Sequence, residues 1–187
     1  MIHKTMPSAN PHLINIAPLA RLAGAKLQHV QYWCLKHEAI QEDIGHPHFF
    51  LGGVVKLTLD DQPLYLSWEK EARRPITSSL TVKDHCIWQD DYYSALDASN
   101  TPYWQPLIGR SLVQADLMGW RGIASVAALS FGDNIMYVGT GSQLDYGYGD
   151  DILIRSQETF WQSTHVHDLE ILHSVRSKTY SRRVLVA

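Results

Sequence analysis

Two histidine pairs, His46-Pro47-His48 and His165-Val166-His167, carry residue types that could hold a metal. An i, i+2 spacing sets two imidazoles on one face of a strand, and four imidazoles gathered in space would suit zinc. With Asp145 beside His165 and His167, that would make a metal-dependent hydrolase. This remains an alternative. The first expectation has no metal and no other cofactor, because Pro47 puts one pair in a loop and unliganded His-x-His pairs are common. Nucleophilic chemistry has less behind it. Cys86 follows His85 directly, and neighbours on a strand point apart, so the imidazole is poorly placed to activate the thiol. Cys34, inside the strand-like run 30–35, reads as a small buried apolar residue. Gly139-Thr140-Gly141-Ser142 resembles a phosphate loop in composition alone, with no Lys or helix behind it. The chain has no G-x-S-x-G, H-E-x-x-H or G-x-x-x-x-G-K-[ST] motif, so no catalytic residue is expected and the protein is read as a non-enzyme.

Binding chemistry is better supplied. Net charge is -3, but residues 84–151 carry nine aspartates against only Arg110 and Arg121. Such a segment repels nucleic acid and attracts a basic partner. Within it, Gln143-Leu144-Asp145-Tyr146-Gly147-Tyr148-Gly149-Asp150-Asp151 interleaves aspartates with tyrosines and glycines. It lacks the ligand order of a calcium loop. Glycine lets the backbone present its neighbours, tyrosine gives contact area at low entropic cost, and aspartate steers a basic partner. Asp90-Asp91-Tyr92-Tyr93 repeats the chemistry. The expected binding face is therefore Asp90, Asp91, Tyr92, Tyr93, Asp145, Tyr146, Tyr148, Asp150 and Asp151. Trp88, Tyr103, Trp104 and Trp120 fall in the same third, with Trp104 and Trp120 expected in the core. Trp and Tyr beside Asp would also suit a sugar, so a carbohydrate-binding module is a second alternative.

These segments need a frame, and the frame looks duplicated. Leu22-Ala23-Gly24-Ala25-Lys26-Leu27 and Leu107-Ile108-Gly109-Arg110-Ser111-Leu112 both read L-x-G-x-x-L. Downstream, Leu57, Asp61 and Tyr65 of one copy match Leu129, Asp133 and Tyr137 of the other. Val55, Leu57 and Leu59 alternate with polar residues, the period-two pattern of a half-buried strand, and tight Asp-containing turns follow at 60–63 and 132–134. Last strands of each copy are expected at 79–82 and 151–154. The expected architecture is mainly β (α+β is the variant). Two duplicated antiparallel units pack as a sandwich or partly open barrel in a single domain 1–187. The halves cover about 20–85 and 105–156, joined by a long connection at 86–104. A C-terminal extension at 157–187 should hold a helix within 157–175 and a closing strand at 181–186.

The paired L-x-G-x-x-L motifs, the hairpins with Asp and the run Asp150-Asp151-Ile152-Leu153-Ile154 resemble small bacterial immunity-type proteins that neutralise toxins. The resemblance covers roughly 22–82 and 107–154 as pattern and implies no individual binding residues. It implies a protein that binds a cognate toxin and blocks its active site. A basic toxin would fit the acidic third. No basic segment followed by an apolar core opens the sequence, no apolar run reaches membrane-spanning length, and two cysteines make no disulfide framework. The expectation is a cytoplasmic protein with a protein partner, without nucleic acid or membrane. The oligomeric state is left open.

Overall fold

A computed structural model describes residues 15–35, 49–51, 53–70, 78–85, 93–140, 152–160 and 168–178. The first half supplies β1 (Leu27–Leu35), β2 (Phe49–Leu51), β3 (Val54–Leu59), β4 (Gln62–Lys70), β5 (Ser78–Lys83) and β6 (Tyr93–Asp97). The second supplies β7 (Gln114–Trp120), β8 (Ile123–Phe131), β9 (Asn134–Thr140), β10 (Ile152–Ser156) and β11 (Glu170–Arg176). Helix is limited to α1 (Ala17–Leu22), α2 (Gln157–Phe160) and a 3-10 turn at Gln105–Leu107 among the described residues. Strands run in two antiparallel sheets, ordered β5-β4-β3-β1-β6 and β11-β7-β8-β9-β10-β2. Apart from β2, the two orders are the same: four strands follow one another, and a fifth returns to flank the first.

Local chemistry accounts for the hairpins. Val55, Leu57 and Leu59 are buried, while Lys56 and Thr58 are half-buried on the other face. Asp60 and Asp61 form a two-residue turn with φ of 44° and 62°, the left-handed pair of a type I′ hairpin. Gly132 and Asp133 make the equivalent turn in the second half, with positive φ only at the glycine. Lys56 opposite Tyr65 and Ala128 opposite Tyr137 preserve one register in both halves.

The two L-x-G-x-x-L motifs turn out to pair with each other. The Gly24 N–H donates to the Leu112 carbonyl and the Gly109 N–H to the Leu27 carbonyl, both at 2.7 Å. The Leu27 N–H donates to the Arg110 carbonyl and the Leu112 N–H to the Ala25 carbonyl, both at 2.9 Å. Lys26 faces Ser111 in an isolated antiparallel bridge. Each bond thus has its counterpart at the same motif position, and a local two-fold axis passes between Lys26 and Ser111. Both glycines take positive φ, 100° and 81°, which a side chain would resist. The motif leucines Leu22, Leu27, Leu107 and Leu112 all enter one core.

That core lies between the sheets and draws on both halves. A second cluster covers the opposite face of the second sheet. There Phe160 of α2 stacks on Tyr137 with ring centroids 3.7 Å apart and planes 3° apart. Strand β8 is consequently buried on both faces over 124–129, so its small residues do not alternate with polar ones.

Two expectations need correction and a third holds in part. The expected short helix within 157–175 is present at Gln157–Phe160, while Glu170–Arg176, at the far end of that stretch, forms a strand paired with β7. A ladder to β7 satisfies that backbone, and the interrupted apolar stripe offers a helix too little burial to compete. The connection at 86–104 contains β6, which pairs with β1. Trp120 is 41% exposed rather than core, and the Arg121 guanidinium lies 4.0 Å over its ring. Trp104 is fully buried, as expected. The proposed closing strand at 181–186 lies outside the described residues.

Candidate functional site

Of the expected binding face, Tyr93 alone is described; Asp90, Asp91, Tyr92, Asp145, Tyr146, Tyr148, Asp150 and Asp151 lie outside the described residues, as do His46, His48, His165 and His167. The strands from which those segments leave are described, and they converge. Tyr93 opens β6 at the end of the first sheet. The segment 141–151 leaves β9 at Thr140 and enters β10 at Ile152, which face each other in one ladder. Ile152 also faces Leu51 of β2. Two residues on, Gly53 packs against the first sheet: a Cβ there would run into the Trp33 carbonyl and sit 3.3 Å from the Tyr93 ring. Neighbouring strands lie about 5 Å apart and two residues span at most about 7 Å, so Tyr93 and Ile152 are within roughly 20 Å. The short β2 is what brings them together, since it belongs to the first half yet pairs in the second sheet.

The outer face of the first sheet is aromatic and polar. Asp97, Gln31, Lys56, Tyr65 and Lys83 face one another in a row across all five strands. Trp33 meets Tyr65 edge-on at 6.4 Å, and the Lys56 ammonium lies 6.0 and 5.9 Å from the two ring centres. A cation held over two rings is a modest attraction, strengthened where water is excluded. The Trp33 Nε1 is buried without a hydrogen-bond partner among the described residues. Composition had directed attention to the aromatics of the acidic third and missed Trp33 and Tyr65. Alternation would have found them: each sits one residue from a buried core residue, Tyr32 and Leu64 or Leu66.

Two aspartates of the first half are held ionised. Hydrogen bonds from Ser99, side chain and backbone, lower the Asp97 pKa, and His29 adds to the effect. The Ser99 N–H lies 2.9 Å and the His29 Nε2 3.3 Å from Asp97 Oδ1. Asp84 is lowered first by its hydrogen bond with His85, at 2.9 Å, and then by Arg21, at 3.2 Å. His85 is thus engaged with Asp84. Its relation to Cys86 lies outside the described residues.

At the second sheet, an open cleft of about 240 Å³ lies between the 101–109 turns, the β8–β9 turn and α2. Tyr103, Asp133, Asn134, Gln157 and Glu158 line it. Among the described residues no three His, Cys, Asp or Glu side chains gather as metal ligands, and no helix is long and apolar enough to cross a membrane.

Comparison with protein-family models, curated proteins and solved structures finds no match to this chain.

Proposed function

We propose that this chain is a non-enzymatic binding protein of the bacterial cytoplasm, an immunity protein that neutralises a basic toxin through an acidic, tyrosine-bearing face. The observation that carries it is the convergence of Tyr93 with the roots of the 141–151 segment, through Leu51 and Gly53. Two acidic stretches some fifty residues apart in sequence thus adjoin strand ends that lie near one another. Convergent aspartates raise the encounter rate with a basic partner, and tyrosines supply contact once it arrives.

The test has two parts. A pull-down from host lysate at low salt, with metal analysis of the bait, should retain one basic protein stoichiometrically. Replacing Asp150 and Asp151 together with Lys should then slow association far more at low salt than at high salt, because screening weakens steering. Equal slowing at both would overturn the steering argument. A stoichiometric zinc without a protein partner would replace this function with the hydrolase at His46, His48, His165 and His167.

The cleft beside Tyr103 favours a second function, a carbohydrate-binding module. An aromatic ring lies there with two carboxylates and two amides that suit a polyol. Quenching of Trp fluorescence by sugars, abolished by Asp133→Ala, separates it from the first.

A further inference from the structure

The two halves end in strands of the same rank, β6 and β11, and each is outermost in its sheet among the described residues. They are built differently. Strand β11 has a bulge between Ile171 and His173 and exposes Glu170, His173 and Arg176. A broken, charged edge is a common way to refuse another strand. Strand β6 faces β1 through five consecutive residues without a bulge, and it contains no Pro, Lys or Arg. The Ala98 N–H donates to the Val30 carbonyl at 3.0 Å. Amides two residues apart point the same way, so Leu96 also turns its backbone to β1 while Ala95 turns its N–H and C=O outward. Ala95 is exposed, and on the same face the Asp97 side chain is 52% exposed.

We propose that β6 accepts an extended basic segment of a partner protein as a sixth strand of the first sheet. A Lys or Arg would stand opposite Asp97 and a large side chain would cover Ala95. Main-chain bonds to the outward groups of Ala95 provide affinity, and alternate side chains provide selectivity. Asp97 rather than a second β6 decides the occupant, since a basic residue complements its charge. The inference rests on the basic-partner function above and adds how that partner is held.

The probe is a short capped peptide alternating Lys and Val, with a control in which two Val are Pro, so that charge is kept and strand formation lost. Both are titrated into the full-length, isotope-labelled protein and followed by amide NMR. The alternating peptide should shift the Ala95 amide and slow its exchange, while the control binds about tenfold more weakly or worse. Ala95→Pro removes an outward N–H that β1 does not use, and should weaken binding about tenfold with the sheet intact by circular dichroism. Asp97→Lys, which reverses the facing charge, should weaken it as well. If both peptides bind alike and Ala95→Pro changes nothing, strand addition is wrong while the charge-based function stands. No shift at Ala95 at millimolar peptide, or self-association lost in Ala95→Pro, also overturns the proposal.

Discussion

Tyr32→Phe removes one oxygen from the middle of the core, and with it the acceptor of a buried bond from Trp104. The Trp104 indole N–H donates to the Tyr32 hydroxyl at 2.6 Å, with Trp104 fully buried and Tyr32 nearly so. Burial pushes the Tyr32 pKa far above that of a free tyrosine, only partly opposed by the Trp104 bond, so the hydroxyl stays neutral. Indole has one donor and no acceptor. Without the Tyr32 oxygen that donor is stranded away from water, which costs about 1–3 kcal/mol. A loss of about 2 kcal/mol raises the unfolded fraction roughly thirtyfold, and for a chain of this length lowers Tm by about 4–8 °C. Urea unfolding followed by Trp fluorescence reads the first quantity and a thermal melt the second. Trp104→Phe removes the donor instead, and the double variant should recover about 1 kcal/mol relative to the sum of the singles. A loss below about 0.5 kcal/mol for Tyr32→Phe, or strict additivity in the double variant, would refute the argument. The bond matters beyond its energy, since it ties β1 to the turns that lead into the second L-x-G-x-x-L motif.

Phe160→Ala should destabilise by about 3–5 kcal/mol, as expected for a buried aromatic. It should also flatten the near-UV signal from Tyr137, which loses its stacking partner; an unchanged melt would mean that α2 does not close the second cluster. Asp97 adds a pH dependence. Its folded pKa is depressed, so the stability it contributes is present above the ordinary carboxylate pKa of about 3.9 and is lost as pH falls through the folded value. Wild type should therefore exceed Asp97→Asn near neutrality, and the gap should close on acidification below about pH 4. A gap constant with pH would show that the carboxylate's charge is not what matters.

Much of the fold was legible because it is local. Alternation at 55–59 specified a half-buried strand, and Asp60-Asp61 and Gly132-Asp133 specified tight hairpins, since those turns need few residues and particular φ angles. Strands β6 and β11 were not legible, because an edge strand leaves most side chains outside the core and writes no clear period. Trp120 looked like a core residue by type, yet a bulge at Met118–Gly119 and the end of the strand leave it beside Arg121. Sequence alone determined the mainly β character, the repeated unit and the acidity of its middle third. Tertiary structure alone decided that the two motifs pair about a local two-fold axis and that β2 crosses to the second sheet. It also decided that Tyr93 lies near Thr140 and Ile152, the strand ends that flank the 141–151 segment. Those are contacts between residues far apart in the chain. Their free energy comes from burying one half against the other, and no short stretch of sequence contains both partners.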